Sequence, residues 1–151
     1  MKEFVQKFDV FAIRRFQKFE VPLARIAIFV VYFWFGLLKL LGVSPAGPLV
    51  QNLFEKTLTW LIPFSIFYSF FALFEMMIGV IFLVRGLERI AIFFIVLHLF
   101  VIVLPLFLLP EITWKGFLIP TLEGQYIIKN LLIAAAAVVV GSKLVPMKKK
   151  I

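Results

Sequence analysis

The chain has 151 residues, 64% of them hydrophobic, and a mean hydropathy of +1.10. A soluble domain is only about half apolar, and twenty phenylalanines are more than a core of this size can bury, so the composition implies one integral membrane domain and no sizeable soluble one. A formal charge of +8 without any nucleic-acid motif is read as directed at lipid, not nucleic acid; the lack of cysteine excludes disulfides, iron–sulfur clusters and thiolate metal sites, and a lone histidine, His98, excludes a histidine-rich metal centre or bis-histidine haem within one chain.

Residues 1–21 open with "MKEFVQKFDVFAIRRFQKFE", which does not read as a clean signal peptide. On a helical wheel Phe4, Val5, Phe8, Phe11, Ala12, Phe16 and Phe19 share one face, and Lys7, Arg14 and Lys18 lie to one flank. The pattern predicts an amphipathic helix lying on the inner leaflet against anionic lipid. A four-helix transmembrane domain is expected over 22–142, because a span needs about 20 mostly apolar residues. The spans are placed at about 22–42, 64–84, 90–109 and 125–142, punctuated by Pro22, Pro63 and Pro110, with Pro105 kinking the third. Between the first two, residues 47–60 carry a periodic piece that predicts a short helix over the bundle mouth, with Leu49, Leu53, Trp60 and Leu61 as anchors. Residues 143–151 form a basic tail.

Twelve of the sixteen basic residues fall before or at the first span, between the second and third, or after the fourth. The exceptions are Lys39, Lys56, Lys115 and Lys129. The positive-inside rule therefore predicts a multi-pass protein of the plasma membrane with both termini cytoplasmic.

Ionisable groups inside a span are costly, so each marks a candidate site. On the first span Arg25, Tyr32, Gly36 and Lys39 fall within about 60° of one another at helical period. On the second, Tyr68, Ala72, Glu75, Gly79 and Gly86 share a face. Glu75 is eleven residues from the start of its span, about 16 Å deep at helical rise, so it must be protonated, paired with a cation or open to a wet cavity. His98 on the third span is either a neutral histidine bonded to a neighbouring helix or a proton relay or ligand contact. The fourth span presents Gln125 and Lys129 on one face, beside a stripe of Asn130, Ala134, Ala137 and Gly141 suited to helix packing. Lys39 and Lys129 are expected at similar depth above Glu75. There they either snorkel to headgroups or converge on one pocket, where an anion or electron-rich group must lie between them.

Three pieces, "ARIAIFVVYFWFGLLKLLG", "FALFEMMIGVIFLV" and "EGQYIIKNLLIAAAAVVVG", resemble the DoxX-like family of small four-helix membrane proteins of bacteria and archaea. The matching features are an Arg-to-Gly-x-x-Lys first span, a Glu-x-x-x-Gly second span and a Gly-to-Lys-Asn fourth span. They cover most of residues 22–142, and the branch with a reactive-chlorine-resistance inner-membrane protein looks nearest. The resemblance implies an all-α bundle in the prokaryotic inner membrane, and Arg25, Lys39, Glu75 and Lys129 as a shared polar site. It also implies a link to redox chemistry, since some members are subunits of thiosulfate:quinone oxidoreductase or associate with redox-defence proteins.

Three functions follow as expectations. The first is a redox-linked protein that binds a quinone or similar lipophilic carrier, with a redox protein partner supplying electrons. The second is a non-catalytic assembly subunit of a membrane redox or stress-defence complex. The third is a small proton-coupled transporter acting as a homo-oligomer.

Overall fold

The computed structural model describes residues 2–146. In chain order the elements are α1 (Lys2–Leu40), α2 (Gly47–Thr57), α3 (Phe64–Leu83), α4 (Glu88–Val103), α5 (Pro105–Leu108), α6 (Pro110–Thr113), β1 (Trp114–Gly116), β2 (Ile119–Pro120) and α7 (Leu122–Gly141). Among the described residues four helical stretches are long and apolar enough to cross a membrane: α1, α3, α4 with α5, and α7. Their main contacts run α1 to α3, α3 to α4, α4 to α7 and α7 back to α1, which closes a ring of four.

At one end of the bundle Glu20 meets Lys143 at 2.5 Å, and Arg89 donates to the Val145 carbonyl. The C-terminal end of the described chain lies there beside the middle of α1, and we call it the terminal end. The opposite, loop end carries α2, α5, α6 and the hairpin. The basic run Lys148–Lys150 of the expected tail lies outside the described residues.

Local chemistry explains most element ends. Helix α1 stops in a Schellman arrangement: Gly42 has φ of +72°, its N–H donates to the Lys39 carbonyl at 3.0 Å, and Val43 N–H donates to Leu38 at 3.0 Å. Gly86, with φ of +92°, lies in the α3–α4 turn, beyond the helix whose face the sequence pattern assigns it to. The third apolar stretch breaks at Leu104, one residue before Pro105, where the missing N–H ends the ladder. Carbonyls near this break gain side-chain donors: Thr113 Oγ1 donates to Leu109 at 3.0 Å, and Trp114 Nε1 to Leu106 at 3.0 Å. Helix α7 starts at Leu122, ahead of the expected 125, because Thr121 caps it by accepting from Gly124 N–H at 3.1 Å.

Two features depart from the sequence reading. A small antiparallel hairpin pairs Trp114 with Pro120 and Gly116 with Ile119, so the chain is not wholly helical. And α1 is one unbroken helix of 39 residues, about 58 Å long, where two helices meeting at Pro22 are expected. Proline is compatible with helical φ and removes one hydrogen bond, here the one Lys18 C=O would accept. With no glycine between residues 2 and 35 to help break the helix, that single loss does not end it.

Candidate functional site: a buried polar chain across the bundle

Gly36 and Gly79 bring α1 and α3 together. A Cβ on Gly36 would fall 2.7 Å from the Ala72 carbonyl, and one on Gly79 would fall 3.0 Å from the Phe33 nitrogen. The near-contact of the two backbones follows from these absent side chains. Residues flanking the two glycines on the same faces are thereby pressed into one layer. On α1 these are Tyr32 and Lys39, seven residues and two turns apart; on α3 the residue is Glu75.

Lys39 Nζ donates to Glu75 Oε2 at 2.6 Å, and Glu75 Oε1 lies 3.1 Å from His98 Nε2. The other imidazole nitrogen, Nδ1, lies 3.0 Å from the Tyr32 hydroxyl. All four residues are buried: Lys39 is 7% exposed, Glu75 5%, Tyr32 3% and His98 2%. The chain Tyr32–His98–Glu75–Lys39 therefore starts and ends on α1, passes through α4 and α3, and bridges two helices on opposite sides of the ring.

Hydrogen-bond valence favours one arrangement of protons. A carboxylate is an acceptor at both oxygens, and a neutral imidazole has one donor and one acceptor nitrogen. Every group is used when Tyr32 O–H donates to Nδ1, Nε2–H donates to Glu75 and Lys39 donates to Glu75. Adding a proton at Nδ1 turns that nitrogen from acceptor to donor, so that Tyr32 must then accept from it. The imidazole is boxed by aromatic rings, with centroids at 5.1 Å for Tyr32, 5.2 Å for Phe71 and 6.0 Å for Phe74. Phe71 also lies 5.6 Å from Lys39 Nζ, placing a cation over its ring.

Arg25 belongs to a second polar cluster nearer the terminal end. Its Nε donates to the Phe82 carbonyl at 2.7 Å, one of the unpaired carbonyls at the end of α3, and its Nη1 donates to Glu88 Oε1 at 2.7 Å. Glu88 Oε2 in turn accepts from Gly86 N–H at 2.8 Å. Arg25 thus ties α1 to the turn between α3 and α4. Between the two clusters lie Ile28, Ile78, Phe82 and Ile95, none more than 1% exposed.

Gln125 and Lys129 do not join either cluster. Both are exposed on α7, and Lys129 Nζ lies 5.3 Å from the Tyr126 ring centroid. The rotation of α7 is set by Gly124 and Ile127, which are buried. A Cβ on Gly124 would lie 2.2 Å from the Thr113 carbonyl, so this face must look inward. Lys129, two residues beyond Ile127, then points about 160° away. Two contributors are absent from the sequence reading: Phe71, which roofs the chain, and Glu88, the partner of Arg25. Glu88 was legible in principle, as the one acid in the stretch 84–90 facing the end where Arg25 is expected.

Comparison with family models, with curated proteins and with solved structures gave no match.

Proposed function

We propose that the protein is a redox-linked membrane protein of DoxX-like type, in which the chain Tyr32–His98–Glu75–Lys39 holds and passes protons for a quinone or similar lipophilic carrier. The observation that carries this reading is the unbroken line of four titratable side chains, each bonded to the next at 3.1 Å or less, in a layer that excludes water. The donor set suits a quinone, since an ammonium and a phenol O–H both donate to carbonyl oxygens and the surrounding rings offer stacking faces. In the closed chain these donors engage one another, so Lys39 must leave Glu75 to reach a carrier oxygen. The quinone would accept or release electrons, and a partner protein supplies or takes them, because the chain has no cysteine and one histidine.

The setting we propose is the prokaryotic plasma membrane, with both termini cytoplasmic and the loop end facing outward. The basic residues at the terminal end support this orientation. The first half of α1 exposes Phe4, Phe8, Phe11, Phe16 and Phe19 beside its basic flank, a composition suited to the anionic inner leaflet. Lying on that surface requires a bend at Pro22.

Protein purified from native lipid is expected to retain quinone and to bind it more weakly as Lys39→Met. A preparation that retains none, and whose affinity is unchanged by Lys39→Met, contradicts the proposal.

A second reading, an assembly subunit in which the polar chain only locks helix register, is favoured by the closure of the chain. Replacing Lys39 and Glu75 together by Met and Leu separates the two. The register lock predicts retained cellular function in a folded double variant; the proton role predicts its loss.

A further inference from the structure

We infer that α2 is a lid, and that the buried polar chain exchanges protons only with the loop end that α2 covers. This takes up the proton-handling reading above and adds its direction and its gate.

The direction follows from what lies on each side. Toward the terminal end, every step from the polar chain meets the dry layer. On α1, Ile28 stands between Tyr32 and Arg25; on α3, Ile78 and Phe82 follow Glu75; on α4, Ile95 precedes His98. These four are fully packed, and a proton has no donor or acceptor side chain to cross them on. Toward the loop end, Lys39 is the penultimate residue of α1, and its stem runs from the rim of the bundle down to Glu75.

The gate is aromatic. Phe54 of α2 is 3% exposed and packs on Phe67 with ring centroids 5.0 Å apart; Phe67 stacks on Phe71 at 5.7 Å. Phe71 in turn lies over Lys39 and beside His98. A continuous run of rings therefore connects α2 to Lys39 and His98. Besides the buried Phe54 ring, what fastens α2 is exposed and polar: Lys56 Nζ donates to the Leu108 carbonyl at 2.6 Å and lies 3.7 Å from Glu111. Such fastenings are weak in water. Gly42, in the left-handed region with open space where its side chain would be, provides a pivot between α1 and α2. A short helix held by few polar contacts belongs to the part of a fold that opens first.

The absence of cysteine allows a direct test. Phe71→Cys and Ile78→Cys, each the sole thiol, are reconstituted in sealed liposomes and reacted with a membrane-impermeant maleimide from one side at a time. Phe71→Cys is expected to label from the loop side, about fivefold faster when Lys56→Ala is added, and Ile78→Cys to stay unlabelled from both sides. Equal rates with and without Lys56→Ala, labelling of Phe71→Cys from the terminal side, or labelling of Ile78→Cys would overturn the inference.

Should Phe71→Cys not fold, deuterium uptake at the imidazole C2 of His98, the sole histidine, makes the same comparison between the unaltered chain and Lys56→Ala. Faster uptake in Lys56→Ala supports the lid, and equal uptake overturns it. Neither readout needs a carrier, so labelling as expected alongside absent quinone binding removes the redox reading and leaves the lid standing.

Discussion

Glu75 accepts one donor on each carboxylate oxygen, from Lys39 and from His98, so its loss strands two buried groups at once. Removing one partner of a buried ion pair leaves an uncompensated charge and costs about 3–5 kcal/mol. Glu75→Ala is therefore expected to lower stability by roughly that amount, read from unfolding midpoints in detergent. Pairing Lys39→Met with Glu75→Leu should recover part of the loss, because the stranded ammonium is then absent while His98 Nε2 still lacks its partner. Lys129→Ala should leave the midpoint unchanged, since Lys129 is exposed and makes only a ring contact. At this scale the sequence was informative about types and less so about partners. Lys39, Glu75, His98 and Tyr32 are legible because polar groups in apolar helices stand out. That Lys129 points away is not, because its direction depends on the rotation of α7, and that rotation is fixed by a contact of Gly124 with the Thr113 carbonyl at the end of α6, far from the helix pattern.

Helix pairing rests on a few positions where no side chain fits. Gly36→Ala would place a methyl 2.7 Å from the Ala72 carbonyl and 2.7 Å from Met76 Cγ. The side chain of Met76 can turn aside, but the carbonyl moves only with the α3 backbone. Overpacking of this kind costs about 1–3 kcal/mol, and here it also lengthens the reach from Lys39 to Glu75. Gly124→Ala, with its methyl 2.2 Å from the Thr113 carbonyl, is expected to undock the hairpin from α7. Faster amide exchange across Trp114–Pro120, with little change in the interior of α3, would be its signature. Unchanged exchange would show that this contact does not hold the hairpin. The four apolar stretches and the short helix after the first are legible from hydropathy and period, but Phe54 seats that helix, whereas the expected anchors Trp60 and Leu61 are exposed beyond its end. The hairpin is not, because three residues pairing with two carry too little pattern. Pro22 misleads because proline reads as a boundary in sequence, whereas a helix without other breakers absorbs it.

The described residues form a ring of four helices with two polar clusters separated by a dry apolar layer. In water that layer would stabilise the fold through desolvation, but in a bilayer lipid tails are as apolar as the interior. Close packing and buried polar bonds must hold the ring together there. Arg25 and the buried polar chain then tie helices at two heights. Arg25→Met is expected to loosen the α3–α4 turn, seen as faster amide exchange at Gly86, while leaving the Lys39–Glu75 pair intact.

The most direct test of a proton-handling role uses the sole histidine, through nitrogen NMR of labelled His98 in native-like lipid. The account predicts a neutral ring at rest, with Nε2 protonated and Nδ1 accepting. On supplying reduced quinone together with an artificial electron acceptor, which takes the two electrons as the quinol's two protons are released, it predicts conversion toward the doubly protonated ring, with that response abolished by Glu75→Gln. A His98 spectrum indifferent to the carrier in either redox state would contradict it and leave the chain a structural brace.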